Sequence, residues 1–308
     1  MPFVAHGSYR IRYELEGPVD GAAYVLVNGL TQYAELWEAY RAALVSRGFR
    51  VVTFDLLGQG ASDKPCLFIS QDDQVEVLRL LLDQLGKAPV FLGGISFGGL
   101  LALRYAIAHP ARLAGLVAMS TFAELSPQLL LLGNALRTGL ILGGTSYLQD
   151  LLLPMNLSDA WLEPLLGKLE AVKRQGWLTN DVYALQNLME SFLDFKPLTP
   201  QLGSITVPTM ILNGEFDFLT PRPLHETLRV HIPDSALVII QNAYHAFTLE
   251  KPELVADLLA TFAENVLAGR WKGAQSVWIA PEKAGDPLIP FPAGQDHLRA
   301  IPKPVVPG

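Results

Sequence analysis

Cysteine is nearly missing: Cys66 is the only one in 308 residues. A lone thiol cannot close an internal disulfide, and no second cysteine stands at metal-ligand spacing, so a disulfide framework and a zinc module are both excluded. Charge is thin as well, with 17% Asp, Glu, Lys and Arg, a formal net charge of -7 and no Lys/Arg-rich run. Such a surface has little with which to neutralise phosphates, and nucleic acid is not an expected partner. A long unbroken apolar run is absent too. The most apolar stretch, residues 129–147, is interrupted by Gly133, Asn134, Arg137, Gly139, Gly143 and Gly144. Because a bilayer needs about 20 nearly unbroken apolar residues, stable membrane insertion is not expected. Residues 1–7 show no basic region leading into an apolar core, and with the lone cysteine this makes a cytoplasmic location the expectation.

Half of the residues are hydrophobic, enough for a sizeable core in one large α/β domain carrying an insertion. Compact apolar runs at 24–28, 50–55, 89–93 and 116–120 alternate with helical patterns at 33–47, 71–85 and 97–109. Runs of this kind are buried on both faces, and the helices between them supply the crossovers of a mostly parallel central sheet. Ser70 followed by Asp73 reads as a cap that starts the second helix. The alternation assigns residues 1–123 to the first part of the core. Residues 124–200 are Leu-rich and helix-like, the pattern of an inserted helical cap. Strand character returns at 208–213 and 236–240, followed by a helix at 252–267, so residues 201–269 form the second part of the core. Residues 270–308 are a proline-rich extension, either extended along the core or disordered, since Pro281, Pro287, Pro290, Pro292, Pro302, Pro304 and Pro307 forbid a regular helix.

Ser96 stands at the centre of Gly94-Ile95-Ser96-Phe97-Gly98, directly after an apolar run and directly before a helical pattern. That strand-to-helix context makes it a candidate nucleophile, because a tight turn there exposes the hydroxyl at a helix N-terminus that favours developing negative charge. A serine hydroxyl needs a base, and the base needs an orienting group. Of six histidines, only His245 follows the last core strand in a loop that opens at the same sheet edge as Ser96. Asp217, four residues past the strand ending at Asn213, is the candidate orienting acid, with Glu215 and Glu124 as rivals. The oxyanion of a tetrahedral intermediate requires backbone donors. Phe97, just after the nucleophile, and Leu30, in the loop Asn28-Gly29-Leu30-Thr31, are the expected ones. No cofactor and no metal are called for.

With these motifs in place, the chain resembles the α/β-hydrolase fold group of esterases, lactonases and acyltransferases over about residues 8–268. The order Ser, Asp, His is the one expected of that fold. The loop Asp55-Leu56-Leu57-Gly58-Gln59-Gly60-Ala61-Ser62-Asp63-Lys64-Pro65 is similar to the family pattern D-x-x-G-x-G-x-S-x-x-P, and Glu250-Lys251-Pro252-Glu253 after His245 is similar to its histidine loop. Two positions depart from it: Asn28 where most members carry histidine, and Tyr244 where glycine usually stands. Asn28-Gly29 and residues 69–76 also resemble bacterial hydroxyacyl acyltransferases.

The resemblance implies a small-molecule ester or acyl substrate and leaves three functions open. These are hydrolysis of a carboxylic ester, lactone or thioester, acyl transfer to an alcohol or thiol, and a non-catalytic binding role. Retention of Ser96, Asp217 and His245 argues against the last, and the constant presence of water puts hydrolysis first. Haloperoxidase-like and carbon–carbon cleaving chemistry stay open beside these. The leucines of 129–132, 140–142 and 151–153 are enough to line an apolar acyl pocket. Oligomeric state is not legible.

Overall fold

The computed structural model describes residues 2–66 and 68–291. In chain order its elements are β1 (Phe3–His6), β2 (Tyr9–Glu16), β3 (Ala23–Val27), α1 (Glu38–Ser46), β4 (Arg50–Phe54), α2 (Gln71–Gln84), β5 (Val90–Ile95), α3 (Phe97–Ala108) and β6 (Leu113–Met119). The helices α4 (Pro127–Asn156), α5 (Asp159–Leu162), α6 (Leu169–Thr179) and α7 (Val182–Glu190) follow without a strand. The chain then returns through β7 (Thr209–Gly214), α8 (Arg222–His231), β8 (Ser235–Ile240), α9 (Phe247–Glu250), α10 (Pro252–Leu267), β9 (Ser276–Ile279) and β10 (Ile289–Pro290).

Strands β3, β4, β5, β7 and β8 are buried almost throughout, as unbroken apolar runs in a parallel sheet should be. One face packs Val77, Leu78 and Leu100 of α2 and α3 with Leu228 of α8. The other packs Leu44 of α1 with Leu259 and Phe262 of α10. The strand order among the described residues is β1-β2-β4-β3-β5-β6-β7-β8-β9-β10. β3 has β4 on one side and β5 on the other, so the order reverses between β3 and β5, and the loops leaving those two strands part to form a crevice.

The sheet is wider than the apolar runs indicate. β1 and β2 form an antiparallel hairpin that joins β4 through pairs such as Tyr13 with Phe54. Beyond residue 269, β9 pairs in parallel with β8, Val238 lying against Trp278. The extended reading of the proline-rich segment therefore takes the form of sheet strands up to residue 290, while residues 292–308 lie outside the described part. The capping box at Ser70 and Asp73 is present: the Asp73 amide donates to Ser70 Oγ at 3.0 Å and the Ser70 amide to Asp73 Oδ2 at 2.8 Å. α4 bends at Gly144, whose φ of 67° and ψ of -167° no helix contains. No helix among the described residues is long and apolar enough to cross a membrane.

Candidate active site

Ser96 sits between β5 and α3 with φ 54° and ψ -117°. A side-chain-bearing residue at positive φ is strained, and such strain persists only where the surroundings hold it. Here the backbone is held on both sides. The Ser96 amide donates to Met119 O at 2.8 Å, and Thr121 Oγ1 donates to Ser96 O at 2.8 Å. The flanking glycine has a steric cause, because a Cβ at Gly98 would lie 2.4 Å from the carbonyl oxygens of both Val27 and Asn28. Helix α3 can approach β3 that closely only without a side chain.

His245 lies in the loop that leaves β8, three strands along the sheet from β5. Its Nδ1 lies 3.0 Å from both carboxylate oxygens of Asp217, and both side chains are almost fully buried. An ionised carboxylate only accepts, so the proton between them is on Nδ1. Thr220 completes the arrangement. Its amide donates to Asp217 Oδ1 at 2.8 Å, and its hydroxyl donates to Asp217 Oδ2 at 2.8 Å while standing 3.2 Å from His245 Nδ1. Burial works to raise the Asp217 carboxyl, but the His245 imidazole and these hydrogen bonds outweigh it and hold the acid below the ordinary carboxylate range. The rivals sit in other contacts: Glu215 Oε2 accepts from the Asn242 amide at 3.0 Å, and Glu124 Oε2 from the Thr199 hydroxyl at 2.9 Å. The loop carrying His245 is pinned by Ser120 Oγ, which donates to His245 O at 3.0 Å.

Ser96 and His245 line one small chamber of about 100 Å³, together with Leu30. Leu30, Ser96 and Phe97 all border a larger cavity of about 270 Å³, whose wall is mostly Phe and Leu. In the loop after β3, the Gly29 amide is bonded to Gln32 Oε1 at 2.9 Å. Gln59, fully buried, donates from Nε2 to Gly29 O at 2.8 Å and to Leu30 O at 2.7 Å. A peptide plane is rigid and trans, so holding the Gly29 carbonyl against Gln59 turns the Leu30 N–H to the opposite side. Asn28 is equally fixed: its Nδ2 donates to Phe54 O at 2.8 Å, and Trp37 Nε1 donates to its Oδ1 at 2.7 Å.

Sequence reasoning placed Gln59 only as a variable letter in a motif and did not single out Thr220. A threonine three residues after the acid is a pattern for local carboxylate capping and was the available signal for the latter. The motif letters within 55–62 do structural work instead. Asp55 accepts the amides of Ala34 and Ala61 at 2.8 Å each, and a Cβ at Gly60 would lie 2.3 Å from the Asp55 carboxyl carbon.

Behind this site lies a second buried histidine. His225 Nε2 accepts the Thr121 amide at 3.0 Å, and Nδ1 faces Pro221 O at 3.4 Å. Burial pushes its pKa down to about 4, against the pull of Asp217, so it is neutral at pH 7. As pH falls from about 6.5 the unfolded chain takes up this proton first, so stability drops progressively until the folded histidine also titrates near 4. The loss is about 3 kcal/mol. Denaturant unfolding at pH 7 and pH 4.5 is expected to show this slope in the wild type and a shallower one in His225→Gln; equal slopes would contradict it.

The family model for the alpha/beta hydrolase fold matches residues 24–252. The chain belongs to the α/β-hydrolase fold family. It is similar to the 2-hydroxy-6-oxononadienedioate/2-hydroxy-6-oxononatrienedioate hydrolase of Klebsiella pneumoniae, at 28% identity over 273 residues, which cover 84% of this chain and 93% of that one. Among solved structures, a thermophilic esterase from Thermogutta terrifontis superposes with a TM-score of 0.76 at 25% identity, covering 86% of this chain and 97% of the esterase. The enol-lactonase from Burkholderia xenovorans superposes with a TM-score of 0.77 at 23% identity, covering 85% and 100%, a likeness of fold. The chain is an enzyme of this family, and the proteins it resembles carry hydrolase, esterase and lactonase names.

Proposed function

We propose that the protein is a serine hydrolase that cleaves a carboxylic ester, lactone or thioester through an acyl-Ser96 intermediate. The observation that carries this reading is the small chamber lined at once by Ser96 and by His245, the latter bonded to buried Asp217. His245 Nε2 takes the Ser96 proton as Oγ attacks the carbonyl carbon. The oxyanion is received by the amides of Phe97 and Leu30. The first is the leading residue of α3 and has no intrahelical partner, and the second is oriented by Gln59. Collapse breaks the bond to the alcohol or thiol, which leaves with the proton held on His245. Water then attacks the acyl carbon with His245 as base, and the acid departs as Ser96 regains its proton.

The acyl chain is assigned to the cavity of about 270 Å³, lined by Phe97, Phe122, Leu125, Leu129 and Phe192. Among the described residues its lining has one charged side chain, Arg137, whose Nη1 lies 3.2 Å from Glu190 Oε1.

Two measurements test the proposal. An organophosphonate is expected to label Ser96, read by peptide mass. On p-nitrophenyl esters, kcat/KM is expected to rise from two-carbon to medium-length acyl chains, by up to about fourfold per buried methylene at about 0.8 kcal/mol each. Turnover without labelling at Ser96 would overturn the mechanism, and a flat chain-length profile would overturn the acyl pocket.

A further inference from the structure

The chamber holding Ser96 and His245 shares its walls with two other cavities. On one side it shares Leu30, Leu136, Met189 and Leu219 with the Phe- and Leu-lined cavity. On the other it shares Gln32, Leu152, Asn156 and Ala246 with a third cavity of about 310 Å³ between the helical insert and the edge of the sheet. His245 borders the chamber, and its neighbour Ala246 borders this third cavity. In acyl-serine chemistry the imidazole must hand its proton to the departing group, so that group lies on the imidazole's side of the serine.

The third cavity differs in chemistry from the acyl side. Gln149, Asn156, Gln175 and Asn180 share its wall with Leu148 and Leu152, and among the described residues none that lines it carries a formal charge. Two residues of this wall, Gln149 and Asn156, each carry a side-chain oxygen, Oε1 and Oδ1, that is buried and has no partner within the protein, and a turn of the terminal amide brings it to the cavity. A buried carbonyl oxygen left without a donor has lost its water and gained nothing in return, so a donor brought by a ligand is worth more here than at an already satisfied site. Asn156 occupies the junction, bordering both the reaction chamber and the cavity.

Building on the acyl-Ser96 reading, we propose that this third cavity binds the leaving group of the substrate, and that this group is a neutral alcohol carrying hydroxyls of its own. Gln149 and Asn156 accept hydrogen bonds from those hydroxyls. A cationic or anionic alcohol finds no counter-charge in the lining, and a plain alkyl alcohol leaves both acceptors unpaired.

The test compares butyrate esters that share one acyl chain: propyl butyrate, glyceryl 1-monobutyrate and butyrylcholine. The wild type is expected to prefer the glyceryl ester over the propyl ester by about tenfold in kcat/KM, the discrimination a site with unpaired buried acceptors supplies, and to turn over butyrylcholine least. In Asn156→Leu and Gln149→Leu the glyceryl-to-propyl ratio is expected to fall towards one. A ratio is read within each variant, so a general loss of folded enzyme cancels. A wild-type ratio near one, a ratio that survives both substitutions, or a preference for butyrylcholine would overturn the proposal. If Ser96 is labelled by phosphonate and these ratios fail, only the leaving-group site falls; if no labelling occurs and no ester is turned over, the acyl-serine reading falls with it.

Discussion

Ser96→Ala is expected to lower kcat by about 10⁶-fold, the scale of loss when a serine nucleophile acting as a unit with its histidine is removed. The substitution isolates the hydroxyl. Alanine keeps the Cβ, so the strain at φ 54° is unchanged. The bonds that hold this turn, from the Ser96 amide to Met119 O and from Thr121 Oγ1 to Ser96 O, belong to the residue's backbone. The variant is therefore expected to melt like the wild type while losing both turnover and phosphonate labelling. Some acceleration over water survives through the donors of Leu30 and Phe97. Retention of more than a hundredth of the wild-type rate in a folded Ser96→Ala would remove Ser96 from the mechanism.

Asp217→Asn is expected to lower kcat by about 10⁴-fold with a much smaller change in KM. The Asp217 carboxylate accepts four contacts, two from His245 Nδ1 and two from Thr220. An asparagine oxygen can still accept the Thr220 amide, which keeps the loop in place. Its NH₂ group, facing Nδ1, can only donate, and this forces the histidine proton onto Nε2, where the serine proton has to go. The imidazole stays where it was and is in the wrong tautomer. Glu215→Gln and Glu124→Gln, checked for folding, are expected to lose far less, since these carboxylates accept from the Asn242 amide and the Thr199 hydroxyl, away from the imidazole. A collapse in either glutamine variant, with near-normal turnover in Asp217→Asn, would move the acid to the other residue.

The parts of the molecule that could be read from the sequence are those where chemistry or sterics allows few residues. Gly98 is legible because a methyl there meets two backbone oxygens, and the parallel strands are legible because burial on both faces demands unbroken apolar runs. The hairpin β1–β2 carries a different signal, the strict alternation of Tyr9, Ile11, Tyr13 and Leu15 with Arg10, Arg12, Glu14 and Glu16, and a reading built on unbroken apolar runs passes over it. Arg12 is nonetheless almost fully buried, 2.9 Å from Glu35 and 3.5 Å from Asp55. Its burial depends on partners 23 and 43 positions away, which no local window contains. The short strand β9 is similar: the Gly273 amide donates to Asp234 Oδ1 at 2.8 Å, and pairing with β8 rather than composition sets its register. Gln59 escaped for another reason. Its work is done on the backbone of a different loop, and a residue that recognises carbonyl oxygens leaves no pattern in the sequence of the loop it holds.

The Glu250 carboxylate ties two parts of the chain that have no strand in common. Its Oε1 accepts the Ser158 amide at 2.6 Å, its Oε2 accepts the Tyr244 amide at 3.0 Å, and the Ala246 amide donates to Asn156 O at 2.9 Å. The residues on both sides of His245 are thus stitched to the segment that ends α4. The helical insert is fastened at this end to the loop that carries His245, twelve residues beyond the bend at Gly144 in the same helix. Insert and histidine loop are riveted to each other there, so the placing of His245 depends on a part of the chain that adds no strand to the sheet.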